Sequence, residues 1–115
     1  MPQARVLNEQ EIRRVLKVIA LRRHAQRDRA IFLTGLYSGM RAKELCSLRL
    51  CDVLDKEAAI RDEIHLTAQQ TKGRRGRTVI LGKKAREELH TYLCHRYKIQ
   101  DLSPLLLTDT DLPVF

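Results

Sequence analysis

The sequence predicts a single α+β domain, mostly helical, with a small two- or three-stranded antiparallel sheet. Two changes of hydrophobic period point to this: apolar residues recur at helical spacing up to residue 48, alternate or are β-branched between residues 63 and 81, and return to helical spacing over residues 84–97. At 115 residues and 43% hydrophobic content the chain suffices for one modest core and is too short for two.

The first helix opens at Asn8, which stands three residues before Glu11 in the spacing of a capping box. Ile12, Val15, Leu16 and Ile19 follow at i, i+3, i+4 and i+7 and face the core, while Arg13, Arg14 and Lys17 face elsewhere. The polar stretch 22–26 marks a break. A second helix is expected over residues 28–37, with Asp28 favouring its N-terminus by charge and as a cap. That segment is apolar nearly all round, so it should be buried on more than one side and form the centre of the core. Ser38 and Gly39 interrupt it, and a third helix over 41–48 should turn Ala42, Leu45 and Leu48 to one face, which puts Arg41 at a helix start beside a glycine turn.

Residues 63–67 alternate polar and apolar, and 77–81 are β-branched, which predicts an antiparallel hairpin. Its loop, 71–76, carries Gly73 and Gly76 for turn geometry and the cations Lys72, Arg74 and Arg75. A short strand at 58–61 would make the sheet three-stranded. The last helix, 84–97, should turn Ala85, Leu89, Tyr92 and Leu93 inward. Beyond it, 103–107 looks extended, and Leu105, Leu106, Leu107, Val114 and Phe115 form an apolar tail suited to swapping or dimerisation.

With 22 Lys+Arg against 14 Asp+Glu the net charge is +8, so the surface attracts polyanions and nucleic acid is the leading partner on charge. Cys46, Cys51 and Cys94 cannot all pair, and no Cys/His cluster has metal-ligand spacing. His90, Cys94 and His95 share one helix, where their side chains cannot converge on one ion. A reduced, cytoplasmic, nucleoid-associated setting without metal or cofactor is therefore expected. Residues 1–6 contain no apolar signal core, and no segment approaches the ~18 apolar residues of a membrane span, so neither secretion nor membrane insertion is expected.

Two features converge on phosphate. Arg41 would combine a guanidinium fork with the free N–H groups of a helix start, and Lys72 would project from a hairpin tip beside Arg74 and Arg75. The alternatives are a surface arginine and a solvated basic loop.

The string Asp28-x-Ala30-Ile31-Phe32-Leu33-Thr34-Gly35-Leu36-x-Ser38-Gly39-Met40-Arg41-x-x-Glu44-Leu45-x-x-Leu48-x-x-x-Asp52-Val53 closely resembles the signature around the first catalytic arginine of tyrosine recombinases, the phage integrase family. Downstream, Thr71-Lys72-Gly73-x-x-x-Arg77-Thr78-Val79-Ile80-Leu81-Gly82 is similar to that family's hairpin bearing the catalytic lysine. The likeness runs over residues 7–107 and implies the front half of a tyrosine recombinase catalytic domain. It also implies a metal-free reaction in which a tyrosine attacks a scissile DNA phosphate, leaving a 3′-phosphotyrosyl link and a free 5′-hydroxyl. In that scheme Arg41 binds the non-bridging oxygens and stabilises charge on the pentacoordinate phosphorus. Lys72 protonates the leaving 5′-oxygen as general acid. Glu44 orients Arg41 or supports its fold; Arg74, Arg75, Arg77 and Lys43 contact flanking phosphates, with Arg77 equally readable as a solvent-facing strand residue.

The resemblance implies that the family's His-x-x-Arg, its further His or Trp and its nucleophilic tyrosine lie downstream of residue 115, and no segment here matches them. Tyr37, Tyr92 and Tyr97 lie among apolar neighbours that suggest packing. The expectation is a partial catalytic domain spanning residues 1–115, without core-binding domain or C-terminal half, that binds double-stranded DNA and is inactive alone. The alternatives are a fragment that occupies DNA sites or interferes with an intact integrase, and a self-associating interaction module.

Overall fold

A computed structural model describes residues 7–71 and 75–115. Five α-helices, a two-stranded sheet and a 3-10 helix make up the described chain: α1 (Glu9–Ala20), α2 (Ala25–Ser38), α3 (Ala42–Cys46), α4 (Leu50–Val53), β1 (Glu63–Leu66), β2 (Arg77–Ile80), α5 (Lys83–Tyr97) and the 3-10 helix Ser103–Leu107.

The capping box forms as its spacing predicts: Glu11 N–H donates to Asn8 Oδ1 at 2.8 Å, and Asn8 N–H to Glu11 Oε1 at 3.3 Å. Helix α2 begins three residues earlier than Asp28 and packs against α1, α3 and α5, which satisfies a segment with apolar residues on most of its faces. It ends at Gly39, whose φ of 74° lies in the left-handed region and whose N–H bonds the Gly35 carbonyl. This is the C-terminal turn that glycine makes without a Cβ penalty, and it aims the chain at Arg41.

The third helix is shorter than the expected 41–48. Ser47 closes α3, its hydroxyl bonding the Glu44 carbonyl at 2.6 Å, and a further short helix, α4, which the sequence pattern did not predict, starts at Leu50. Leu45 and Leu48 are buried, but Ala42 is exposed rather than core-facing, because the five-residue helix ends before its face extends over the core. Strands β1 and β2 pair antiparallel with Ile64 opposite Val79. The segment expected as a third strand contributes one isolated bridge, Leu54 to Ile60, so the sheet has two strands. In α5 all four predicted inward residues, Ala85, Leu89, Tyr92 and Leu93, are buried.

Residues 103–107 are not extended. Asp101 accepts from Ser103 N–H and hydroxyl at 2.8 Å, and Pro104 follows at the opening of a 3-10 turn. The apolar tail is likewise mostly not a free surface. Val114 N–H donates to the Leu48 carbonyl and Leu50 N–H to the Leu112 carbonyl, both at 2.9 Å, so the C-terminal segment straps across the α3–α4 junction. Leu105 and Val114 are 2% and 0% exposed, and the Phe115 ring centroid lies 5.3 Å from that of Tyr92. Burying each such side chain is worth about 1.5–3 kcal/mol, which explains why the tail folds back. Leu106, Leu107 and Leu112 stay exposed. No described helix is long and apolar enough to cross a membrane.

Candidate nucleic-acid interface

Arg41 sits at the N-cap of α3 in extended conformation, exposed, and among the described residues its guanidinium makes no side-chain bond. Its own backbone N–H donates to Glu44 Oε1 at 2.9 Å. The grip that Arg41 offers an anion is thus its guanidinium fork rather than a helix terminus, since α3 has only five residues to build a dipole. Exposed Lys43 follows two residues on, and Arg41, Ala42, Lys43 and Glu44 line an open concavity of about 390 Å³.

Glu44 is the buried charge of the region, with its side chain 5% exposed. Arg77, at the start of β2, donates Nε to Glu44 Oε2 at 3.0 Å and Nη2 to Oε1. A planar guanidinium meets a carboxylate edge-on in such a pair, which is the strong form of the interaction. The Arg77 bonds, chief among the causes, hold the Glu44 carboxyl below the usual carboxylate range, and burial opposes them. Reciprocally, Glu44 pushes the Arg77 guanidinium above its ordinary value. Arg77 is a strand residue that stays partly exposed, as one of the two sequence readings had it, and its guanidinium also pairs with Glu44.

A second tie joins the hairpin to the same helices. Gln70 is almost fully buried; its Oε1 accepts from Thr67 N–H at 2.9 Å, and its Nε2 donates to the Ser47 carbonyl at 3.2 Å and to Asp52 Oδ2 at 3.0 Å. Asp52 also accepts from Arg49 N–H at 2.9 Å, closing the start of α4. The loop is gathered at its base by the Thr71 hydroxyl, 2.9 Å from the Arg75 carbonyl. At Gly76 a Cβ would stand 2.3 Å from the Leu66 carbonyl oxygen, so the strands approach there as only glycine permits.

Lys72 and Arg74 lie outside the described residues. Arg75 is exposed at the loop's return. The start of β2, through Arg77, and the segment after β1, through Gln70, are therefore bonded to residues of α3, its C-cap Ser47 and α4. Gln70, Asp52 and Arg49 were not singled out by sequence; a lone Gln in a polar loop carries no periodic signal. Among the described residues no group of three or more His, Cys, Asp or Glu could hold a metal ion.

Against known proteins, residues 5–111 match the profile of the phage integrase family. Over 87 residues the chain is 38% identical to tyrosine recombinase XerC of Thermodesulfovibrio yellowstonii, covering 76% of this chain and 27% of that protein. Over 70 residues it is 44% identical to tyrosine recombinase XerD of Chlamydia pneumoniae, covering 61% of this chain and 20% of that one. The crystal structure of XerA recombinase superposes with a TM-score of 0.60 at 27% identity, over the whole of this chain and 36% of that one. The chain thus spans about a quarter of the length of the curated relatives it matches.

Proposed function

The chain belongs to the phage integrase family, and we propose that within it these residues form the part of a DNA strand-exchange domain that grips phosphate from the side of Arg41 and the hairpin. Arg41 binds the non-bridging oxygens of a DNA phosphodiester, and Lys72, from the adjoining loop, is the general acid for a leaving 5′-oxygen. Lys43, Arg74 and Arg75 neutralise flanking phosphates. Glu44 touches no substrate: it holds the Arg41 backbone and the foot of β2 together. The observation that carries this reading is that one carboxylate accepts from both Arg41 N–H and Arg77, which ties the two phosphate-directed segments to each other.

A second reading, DNA binding without strand cleavage by this chain alone, is favoured by its tyrosines. Tyr92 is 7% exposed, the Tyr97 hydroxyl is buried, and the Tyr37 ring lies under the Lys84 ammonium at 5.6 Å. Burial pushes the Tyr92 hydroxyl up, which opposes a nucleophilic role.

The test is duplex DNA affinity against salt. Four to six phosphate contacts give a log–log slope of about −3 to −5, and Arg41→Ala reduces the slope by about 1. An affinity indifferent to salt removes the proposal. A suicide DNA substrate separates the two readings: a trapped covalent adduct with this chain eliminates the second.

A further inference from the structure

At the end of α2 opposite Arg41, a cleft of about 340 Å³ opens between the first turn of α2 and the last turn of α5. The 14 residues of α2 rise about 1.5 Å each, so roughly 20 Å separates the two ends. Arg23, His24 and Arg27 line the cleft from one side and Tyr92, His95 and Arg96 from the other, with no carboxylate in the lining. The acid nearest in sequence, Asp28, is already held by Arg22 at 2.8 Å and Arg27 at 3.2 Å.

Arg27 shares its charge with Asp28, but the other cations of the lining are poised rather than neutralised. Arg96 Nη1 donates to the Pro113 and Val114 carbonyls, both at 2.6 Å, bonds that orient the guanidinium and leave its charge uncancelled. Arg23, His24 and His95 make no side-chain bond among the described residues, and His24, the N-cap of α2, caps none of its amides. Arg27 and Arg96 both lie near enough to the Tyr92 hydroxyl to oppose the upward push of burial on it, so cations from the two helices converge. Like charges gathered in one concavity repel, and an oxyanion relieves that repulsion while accepting from guanidinium forks and helix-start amides together. The cationic, amide-bearing lining suits a repeating backbone phosphate better than the mixed side chains of an acidic peptide.

We propose that this cleft is a second phosphate site, which takes a DNA backbone phosphodiester about 20 Å from the one at Arg41. It rests on the reading that the chain binds DNA, and it extends that grip along the whole length of α2.

Two titrations of the chain test it, first with inorganic phosphate and then with a duplex of about twenty base pairs, long enough to span both ends of α2. Inorganic phosphate should shift the amide resonances of Ala25, Gln26 and Arg27 saturably, and Arg23→Glu should raise the half-saturating concentration about fivefold or more. The duplex should lose about 1 from its salt slope in Arg23→Glu. Arg23 bonds no other side chain, so the variant keeps the fold. Absence of saturable shifts overturns the site; phosphate shifts with an unchanged DNA slope overturn its assignment to DNA and leave free phosphate as ligand. Arg41→Ala should retain the phosphate response at α2, so a failure at Arg41 and a failure at the cleft read differently.

Discussion

Arg77 and Glu44, 33 positions apart, form a two-pronged ion pair at the foot of the hairpin, and the same carboxylate takes the backbone N–H of Arg41. Two segments, the start of α3 and the foot of β2, thus share a single acid. Its consequences for stability and for acid sensitivity can be measured on the isolated chain.

Glu44→Gln keeps an oxygen for Arg41 N–H but leaves Arg77 without a counter-ion. Breaking a fully buried pair costs about 3–5 kcal/mol. Arg77 is 44% exposed and water can take up its charge, so the loss is set lower, at about 1–2 kcal/mol. Glu44→Ala also opens the Arg41 amide bond and should lose about 2–3 kcal/mol by urea unfolding. Equal midpoints for wild type and both variants would remove the bridging role.

Acid should weaken the fold through the same group. The Glu44 carboxyl is lowered from its ordinary 4.5 chiefly by the Arg77 bonds, so the native state disfavours its protonation. Its contribution is complete above pH 4.5 and is lost as pH falls through the lowered native value. Urea midpoints taken from neutral pH downward should converge for wild type and Glu44→Gln below that range and diverge above it. A gap between the two that stays constant with pH contradicts the linkage.

Gly76→Ala places a methyl against the Leu66 carbonyl oxygen, at an undisturbed separation of 2.3 Å. Backbone must move, and a penalty of about 2 kcal/mol or more is expected. Hydrogen exchange should quicken at β1 and β2 while α1, remote from the hairpin, keeps its protection. Unchanged exchange in the strands would show that the close approach is not needed.

Gln70→Leu fills the space but strips partners from the Thr67 amide, the Ser47 carbonyl and Asp52. A destabilisation of about 2 kcal/mol follows from leaving such groups unpaired. Faster amide exchange at Thr71 and Arg77, with α5 unaffected, is the specific signature. A uniform change across the chain would reduce Gln70 to an ordinary core residue.

How much of this was legible beforehand depended on how local the cause is. The Asn8–Glu11 cap, the core face of α5 and the β1–β2 pairing each arise from neighbours in sequence or from one period of burial, and each stands where its pattern places it. The helix expected over 41–48 stops at Cys46 because Ser47 bonds back to Glu44, a local competition that apolar spacing does not register. Residues 103–107 coil through Asp101 and Pro104, while their run of leucines looked extended.

By itself the amino-acid sequence determined the α+β class, the packing of α2 on several sides, the cationic residues around Arg41 and the hairpin, and the family likeness that residues 5–111 bear out. Only the tertiary structure decided that Arg77 answers Glu44, that Gln70 reaches Ser47 and Asp52, and that Val114 closes onto Leu48. The physical reason is the range of the forces involved. Capping and periodicity act within a turn or two of chain, whereas an ion pair or a buried amide selects its partner across space, after packing has brought distant segments into register.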